Sequence, residues 1–148
     1  MTLSLNHFSI RTLDLAATKD FYVTLLGLQD GPRPDFPFPG CWLYQGPLTD
    51  YANAAVHIIG IDAQDTSGLS NYLGDRSEQK LQGSGALDHV AFFATGLADM
   101  LQRLHSKGIE VRRRDVPGLG LHQLFLDDPN GIVVELNYPF AEKQALEH

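Results

Sequence analysis

The chain has 148 residues, 43% hydrophobic and 20% charged, which predicts one globular domain with an ordinary core. A formal net charge of −7 opposes a phosphate-backbone partner, so nucleic acid is not expected as a ligand. The single cysteine, Cys41, excludes an internal disulfide and suits a reducing cytoplasm; no apolar run reaches membrane-spanning length, and "MTLSLNHF" lacks the basic-then-apolar pattern of a secretion signal. The final Leu146, Glu147 and His148 read as a purification-tag remnant, leaving a single domain over 1–145.

The first strand lies in "LNHFSIRT", whose alternation puts Leu5, His7, Ser9 and Arg11 on one face and Phe8 and Ile10 on the other. A helix follows with Phe21, Leu25 and Leu26 as its apolar stripe, and Gly27 stops it. Three strands are then expected, over Gln29 to Pro34, Cys41 to Gln45 and Ala54 to Ile59. The stretch Gly31 to Tyr44 is rich in proline and aromatic residues. Prolines do not suit a central strand, so it reads as a loop over the mouth of a site, with Trp42 and Tyr44 starting the next strand. A Ser-, Gly- and Asp-rich connection, with a short helical turn, is expected over 62–85.

The pattern then repeats. "LDHVAFFATGLADMLQRLHSKGI" overlays the first segment so that Leu5 matches Leu87, His7 matches His89, Leu15 matches Leu97 and Ala16 matches Ala98, each 82 residues on. Leu97, Met100, Leu101 and Leu104 form the second helical stripe, and Gly108 ends it. Strands are expected over Val111 to Val116, His122 to Asp127 and Ile132 to Asn137, the last two joined by the turn "DDPNG". The fold class is α+β, with two pseudo-symmetric βαβββ modules over about 4–61 and 86–138.

Strand parity also places the polar residues. His7 and His89 lie on the first-strand faces opposite their helices; His57 and Glu135 interrupt fourth strands between Val56 and Ile58 and between Val134 and Leu136. One such histidine alone is usually an ordinary packed or rim residue, and one such glutamate a solvated edge charge. Four donors on matched faces would bury unpaired polar groups at considerable cost unless a divalent cation bound them. If the two sheets curve toward one another, the four converge on a metal-binding cavity. By the same parity Ser9, Phe93, Gln123, Phe125 and Asn137 would line that cavity as substrate-binding residues. His122 and His105 read as structural or exposed, and Arg112 to Arg114 as a solvated strand edge rather than an anion-attracting patch.

The phrases "LNHFSIRTLDLAATKDFYVTLLGL", "GALDHVAFFA" and "HQLFLDDPNGIVVELNY" resemble the vicinal oxygen chelate superfamily, which includes glyoxalase I, bleomycin- and fosfomycin-resistance proteins and extradiol dioxygenases. The resemblance covers Leu5 to Tyr138 and implies curved mixed sheets around a divalent ion (Fe, Zn, Ni, Mn or Co) held by His7, His57, His89 and Glu135. It also implies a homodimer, and the metal site lies either within one chain or across two. Arg11 matches an arginine that helps hold glutathione in glyoxalase I, but the asparagine expected after the fourth strand is missing from "HIIGID". The leading expectation is lyase or isomerase chemistry on a small substrate with vicinal oxygens, through a metal-stabilised enediolate, with Glu135 and His57 as catalytic residues. The enzymatic alternative is a ferrous ring-cleaving dioxygenase using His7, His89 and Glu135, with His57 as acid/base; Phe125 stands where those enzymes carry a tyrosine. The alternative of another class is a non-catalytic protein that sequesters a small molecule or antibiotic.

Overall fold

Alternating strands and glycine-stopped helices build the same motif twice. The computed structural model describes residues 5–62, 64, 83, 84, 87 and 89–148, so most of the expected connection over 62–85 lies outside the described residues. The chain divides into two units, 1–82 and 83–148.

The first unit runs β1 (Phe8–Thr12), α1 (Leu15–Asp20) continuing as a π-helical turn (Phe21–Leu25), β2 (Gln29–Gly31), β3 (Gly40–Tyr44), a 3-10 turn (Tyr51–Asn53) and β4 (Ala54–Gly60). Its sheet has the order β1-β4-β3-β2, with β1 parallel to β4 and the other pairs antiparallel. Asp14 starts α1 by accepting the Ala17 amide at 2.9 Å. The Leu26 amide then reaches back five residues to the Phe21 carbonyl at 3.1 Å. This wider turn brings Tyr22 inward beside Phe21 and Leu25, so the buried stripe is broader than a uniform helical period predicts. Gly27 closes the helix at φ +84°, a conformation that costs an L side chain dearly. On β1 the predicted alternation holds: Ile10 and Thr12 are buried, and the Thr12 hydroxyl pairs with that of Thr18 on α1 at 3.0 Å. Ile10, Leu43, Val56 and Ile58 fill the sheet side of this core. Each such side chain contributes about 1.5–3 kcal/mol of transfer free energy when fully buried.

The second unit runs β5 (Val90–Phe93), α2 (Leu97–Ser106), β6 (Arg112–Val116), a 3-10 turn (Pro117–Leu119), β7 (Leu121–Asp127), β8 (Val133–Pro139) and α3 (Phe140–Leu146). Its order β5-β8-β7-β6 repeats that of the first sheet, again with its first and fourth strands parallel. Leu97, Met100 and Leu104 are buried on α2, and Gly108 leaves the helix at φ +64°. The "DDPNG" turn is tied by Asp128, whose Oδ1 accepts the Asn130 and Ile132 amides, both at 2.8 Å. The fold is α+β, in two βαβββ modules.

Three features differ from expectation. β2 ends at Gly31 rather than Pro34, because Pro32 and Pro34 bring no amide to a ladder; the Pro32 carbonyl instead accepts the Tyr44 hydroxyl at 2.5 Å. Strands β1 and β5 begin one residue after His7 and His89, so each imidazole stands at a strand's entrance rather than inside it. The helix α3 was not expected at all, and its Glu142 carboxylate accepts the Gly96 and Leu97 amides at 2.9 and 2.7 Å, capping α2 from a distant part of the chain. Among the described residues no helix is long and apolar enough to cross a membrane.

Candidate functional site

The register makes the two modules comparable position by position. On the β1/β4 ladder Ser9 stands opposite His57, and on the β5/β8 ladder Ala91 stands opposite Glu135. Ser9 follows His7 by two residues and Ala91 follows His89 by two, so the pairs His7/His57 and His89/Glu135 occupy equivalent places in the two units. Trp42 opposite His57 and Phe125 opposite Glu135 complete the equivalence on the third strands.

In the first unit the donors form a stack. The His57 ring lies between His7, at a centroid distance of 3.7 Å and 13° between planes, and Trp42, at 3.9 Å and 9°. Tyr51 meets the Trp42 indole edge-on at 5.4 Å, and Phe36 lies 6.1 Å from it. Burial, with a smaller contribution from the nearby His7 ring, pushes the His57 pKa down to about 4, so this imidazole is neutral at ordinary pH. Its Nε2 is buried with no hydrogen-bond partner among the described residues, a costly arrangement for a polar nitrogen. The loop before β3 is held by Arg33, which donates to the Phe38 carbonyl at 2.9 Å and lies over the Phe36 and Phe38 rings. Of the other expected residues here, Ser9 is exposed and Arg11 is half-buried, opposite Ile59.

In the second unit the donors form a hydrogen-bonded chain. His89 Nε2 lies 3.0 Å from Glu135 Oε2, and Gln123 Nε2 donates to Glu135 Oε1 at 2.8 Å. The same Gln123 nitrogen donates to Asn137 Oδ1 at 2.8 Å, while its oxygen accepts Arg114 Nε at 3.0 Å. Because a guanidinium has donors only, Arg114 dictates which end of the Gln123 amide faces it, and the amide nitrogen must then face Glu135 and Asn137. Gln123, Glu135 and Asn137 are all buried, and this network satisfies polar groups that water cannot reach.

Phe125 meets the His89 ring edge-on at 6.5 Å and forms one wall of a cavity of about 370 Å³, shared with His89, Arg112, Arg113, Arg114 and Val133. Phe93 stands outside both network and cavity, 89% exposed. Trp42 and Arg114 were missed as site residues by sequence reading. Their signal was cross-strand position, since each sits on a third or second strand opposite a residue already suspected.

The donor chemistry suits a divalent cation: three imidazoles and one carboxylate are the ligand types of zinc, iron, nickel and manganese sites. His7 and His57 belong to the first unit, and His89 and Glu135 to the second. Among the described residues no three His, Cys, Asp or Glu side chains gather as a metal group. Among the described residues two buried imidazole nitrogens lack a hydrogen-bond partner, Nε2 of His57 and Nε2 of His122, and only the first belongs to the donor set. His122 is not part of the set, for its Nδ1 pairs with Asp115 at 2.6 Å on the other face of β7. Burial pushes the Cys41 thiol up to about 11, which leaves it a poor nucleophile.

No curated protein matches the chain. Solved structures do share its fold. A glyoxylase/bleomycin resistance protein/dioxygenase domain from Frankia sp. superposes with a TM-score of 0.63 at 16% identity, over 100% of both chains. The trypanothione-dependent glyoxalase I of Leishmania major gives 0.64 at 17% identity, covering 99% of this chain and 94% of that one. A genomically encoded fosfomycin resistance protein from Listeria monocytogenes gives 0.61 at 14% identity, covering 97% and 99%. The family profile matches residues 4–136, nearly the whole length over which the two modules repeat. The chain belongs to the Glyoxalase/Bleomycin resistance protein/Dioxygenase superfamily.

Proposed function

We propose that the protein is a divalent-metal-dependent enzyme of the glyoxalase/dioxygenase type, acting on a small molecule with two neighbouring oxygens by lyase or isomerase chemistry. The observation that carries this reading is the matched placement of His57 and Glu135 on equivalent ladders, with His7 and His89 at the entrances of the paired strands, together with family membership. His7, His57, His89 and Glu135 would hold the cation. When bound, it supplies Lewis acidity for negative charge developing on the two substrate oxygens. Glu135 would take and return a substrate proton, its carboxylate oriented by Gln123 at Oε1 and by His89 at Oε2. Phe125 and Val133 supply the apolar part of the wall of the cavity beside His89. A homodimer in a reducing cytoplasm is the working form this reading expects.

A ferrous ring-cleaving dioxygenase is the second reading. The stacking of His57 between His7 and Trp42 favours it, since a ring clamped on both faces suits a role beside the iron rather than on it. A non-catalytic sequestering protein is the third, and would bind its ligand without metal. Metal analysis of protein purified anaerobically and without a nickel column separates the three. Nickel, zinc or cobalt with hemithioacetal turnover supports the lyase; stoichiometric iron with catechol-dependent oxygen uptake supports the dioxygenase; tight ligand binding without metal refutes both enzymatic readings.

A further inference from the structure

We infer that Arg112 and Arg114 form an anion clamp and that the ligand of the second-unit cavity is a small organic anion, a carboxylate or a phosphonate or phosphate ester, with an apolar body. The antiparallel register sets Arg112 opposite Phe125 and Arg114 opposite Gln123, so both arginines share the face of the cavity wall. Each guanidinium carbon lies 6.0 Å from the centroid of the Phe125 ring. Among the described residues no carboxylate pairs with Arg112, Arg113 or Arg114, whereas Lys19, Arg103 and Lys143 each have an acidic partner. In a chain of net charge −7, three consecutive arginines that line one cavity with no acidic partner among the described residues are the expected counterpart of an anionic ligand, and they raise its local concentration.

Arg114 is anchored by its Nε to Gln123, which leaves the terminal nitrogens of its fork for an oxyanion. The walls set by Phe125 and Val133 suit a flat or branched apolar body, and a cavity of about 370 Å³ holds a molecule of small-metabolite size. His89 belongs both to this cavity and to the proposed donor set. The further assignment, that the ligand is also the substrate and presents its oxygens to His89 and Glu135, rests on the function proposed above. The clamp itself does not.

Calorimetric titration of EDTA-treated full-length protein at low ionic strength with phenylphosphonate, benzoate and neutral benzamide tests the clamp. At least one anion is expected to bind with single-site stoichiometry, at least about tenfold tighter than benzamide, and to weaken as sodium chloride is added. The double variant Arg112→Gln/Arg114→Gln is expected to lose at least about tenfold in anion affinity, while Lys107→Gln, which makes a single charge change on another element, is expected to bind as the parent does. Should the double variant not fold, the anion-over-benzamide preference and its salt dependence in the unaltered protein still decide. Equal binding of benzamide and benzoate, absence of binding by either anion, or unchanged anion affinity in a folded double variant would each overturn the clamp. Parallel cobalt(II) titration separates the two proposals. Anion binding without cobalt uptake refutes the metal reading and leaves the clamp standing; cobalt uptake without anion preference does the reverse.

Discussion

Gln123 is the side chain through which the second unit's polar residues are joined. It touches Glu135, Asn137 and Arg114 at once, so every hydrogen bond its amide nitrogen and oxygen make here has a partner inside the protein. Gln123→Leu keeps the volume roughly constant but leaves Glu135 short of a donor in a buried setting. The expected cost is about 1–3 kcal/mol of stability, read by urea denaturation. Under the proposed function, removing the group that orients Glu135 is also expected to weaken metal affinity about 10- to 100-fold, read by competition with a chromophoric chelator. Asp115 is a different case. Hydrogen bonds from Lys143 and then His122 hold its carboxyl below the ordinary value of 3.8, so its contribution to stability is present above that value and is lost as pH falls below it. Thermal melts between pH 5 and pH 2.5 are therefore expected to fall more steeply for the parent than for Asp115→Asn.

Two glycines show how differently elements depend on a missing side chain. At Gly40, where β3 begins, an added Cβ would lie 2.2 Å from the Ile58 carbonyl oxygen of β4, a backbone atom that cannot swing away. Gly40→Ala is expected to force the strands apart and cost roughly 2 kcal/mol or more, with Trp42 losing its register against His57. At Gly108 an added Cβ meets nothing within 4 Å, but φ is +64°. Gly108→Ala is expected to cost only the conformational penalty of about 1–2 kcal/mol, with the site unaffected. The comparison is read from denaturation midpoints together with tryptophan fluorescence, since Trp42 is the sole tryptophan. A Gly40→Ala protein as stable as the parent would show that the β3/β4 ladder does not hold the site as described.

At the level of the whole molecule, strand parity and the 82-residue offset carried most of what was legible in advance. A period of two needs only neighbours in sequence, so the faces of β1, β4 and β8 could be read directly, and Gly27 and Gly108 announced both helix ends. What sequence did not reveal depends on contacts between distant residues. The π-helical turn at Phe21 is a choice between two nearly equal hydrogen-bond patterns, decided by the burial of Tyr22. Helix α3 packs on β7 and β8 and lends Glu142 to α2, none of which has a local signal. Trp42 reaches His57 only because the turn after Tyr44, with its irregularity at Leu43/Tyr44, sets the β3/β4 register. Arg112 to Arg114 lie on a strand that is terminal in its sheet, as the strand-edge reading expected, while the anion clamp inferred above takes the alternative that reading had set aside. Their place on the wall of a cavity required the register with Phe125.

The most direct measurement of the central claim is the metal content of the intact protein, isolated from metal-supplemented cells without a nickel column, beside His7→Ala, His57→Ala, His89→Ala and Glu135→Gln. About one divalent ion per chain is expected in the parent, with the largest losses on substitution of His89 and Glu135. A parent protein without metal under those conditions, or a full complement retained by both His89→Ala and Glu135→Gln, would contradict a cation held by these four side chains.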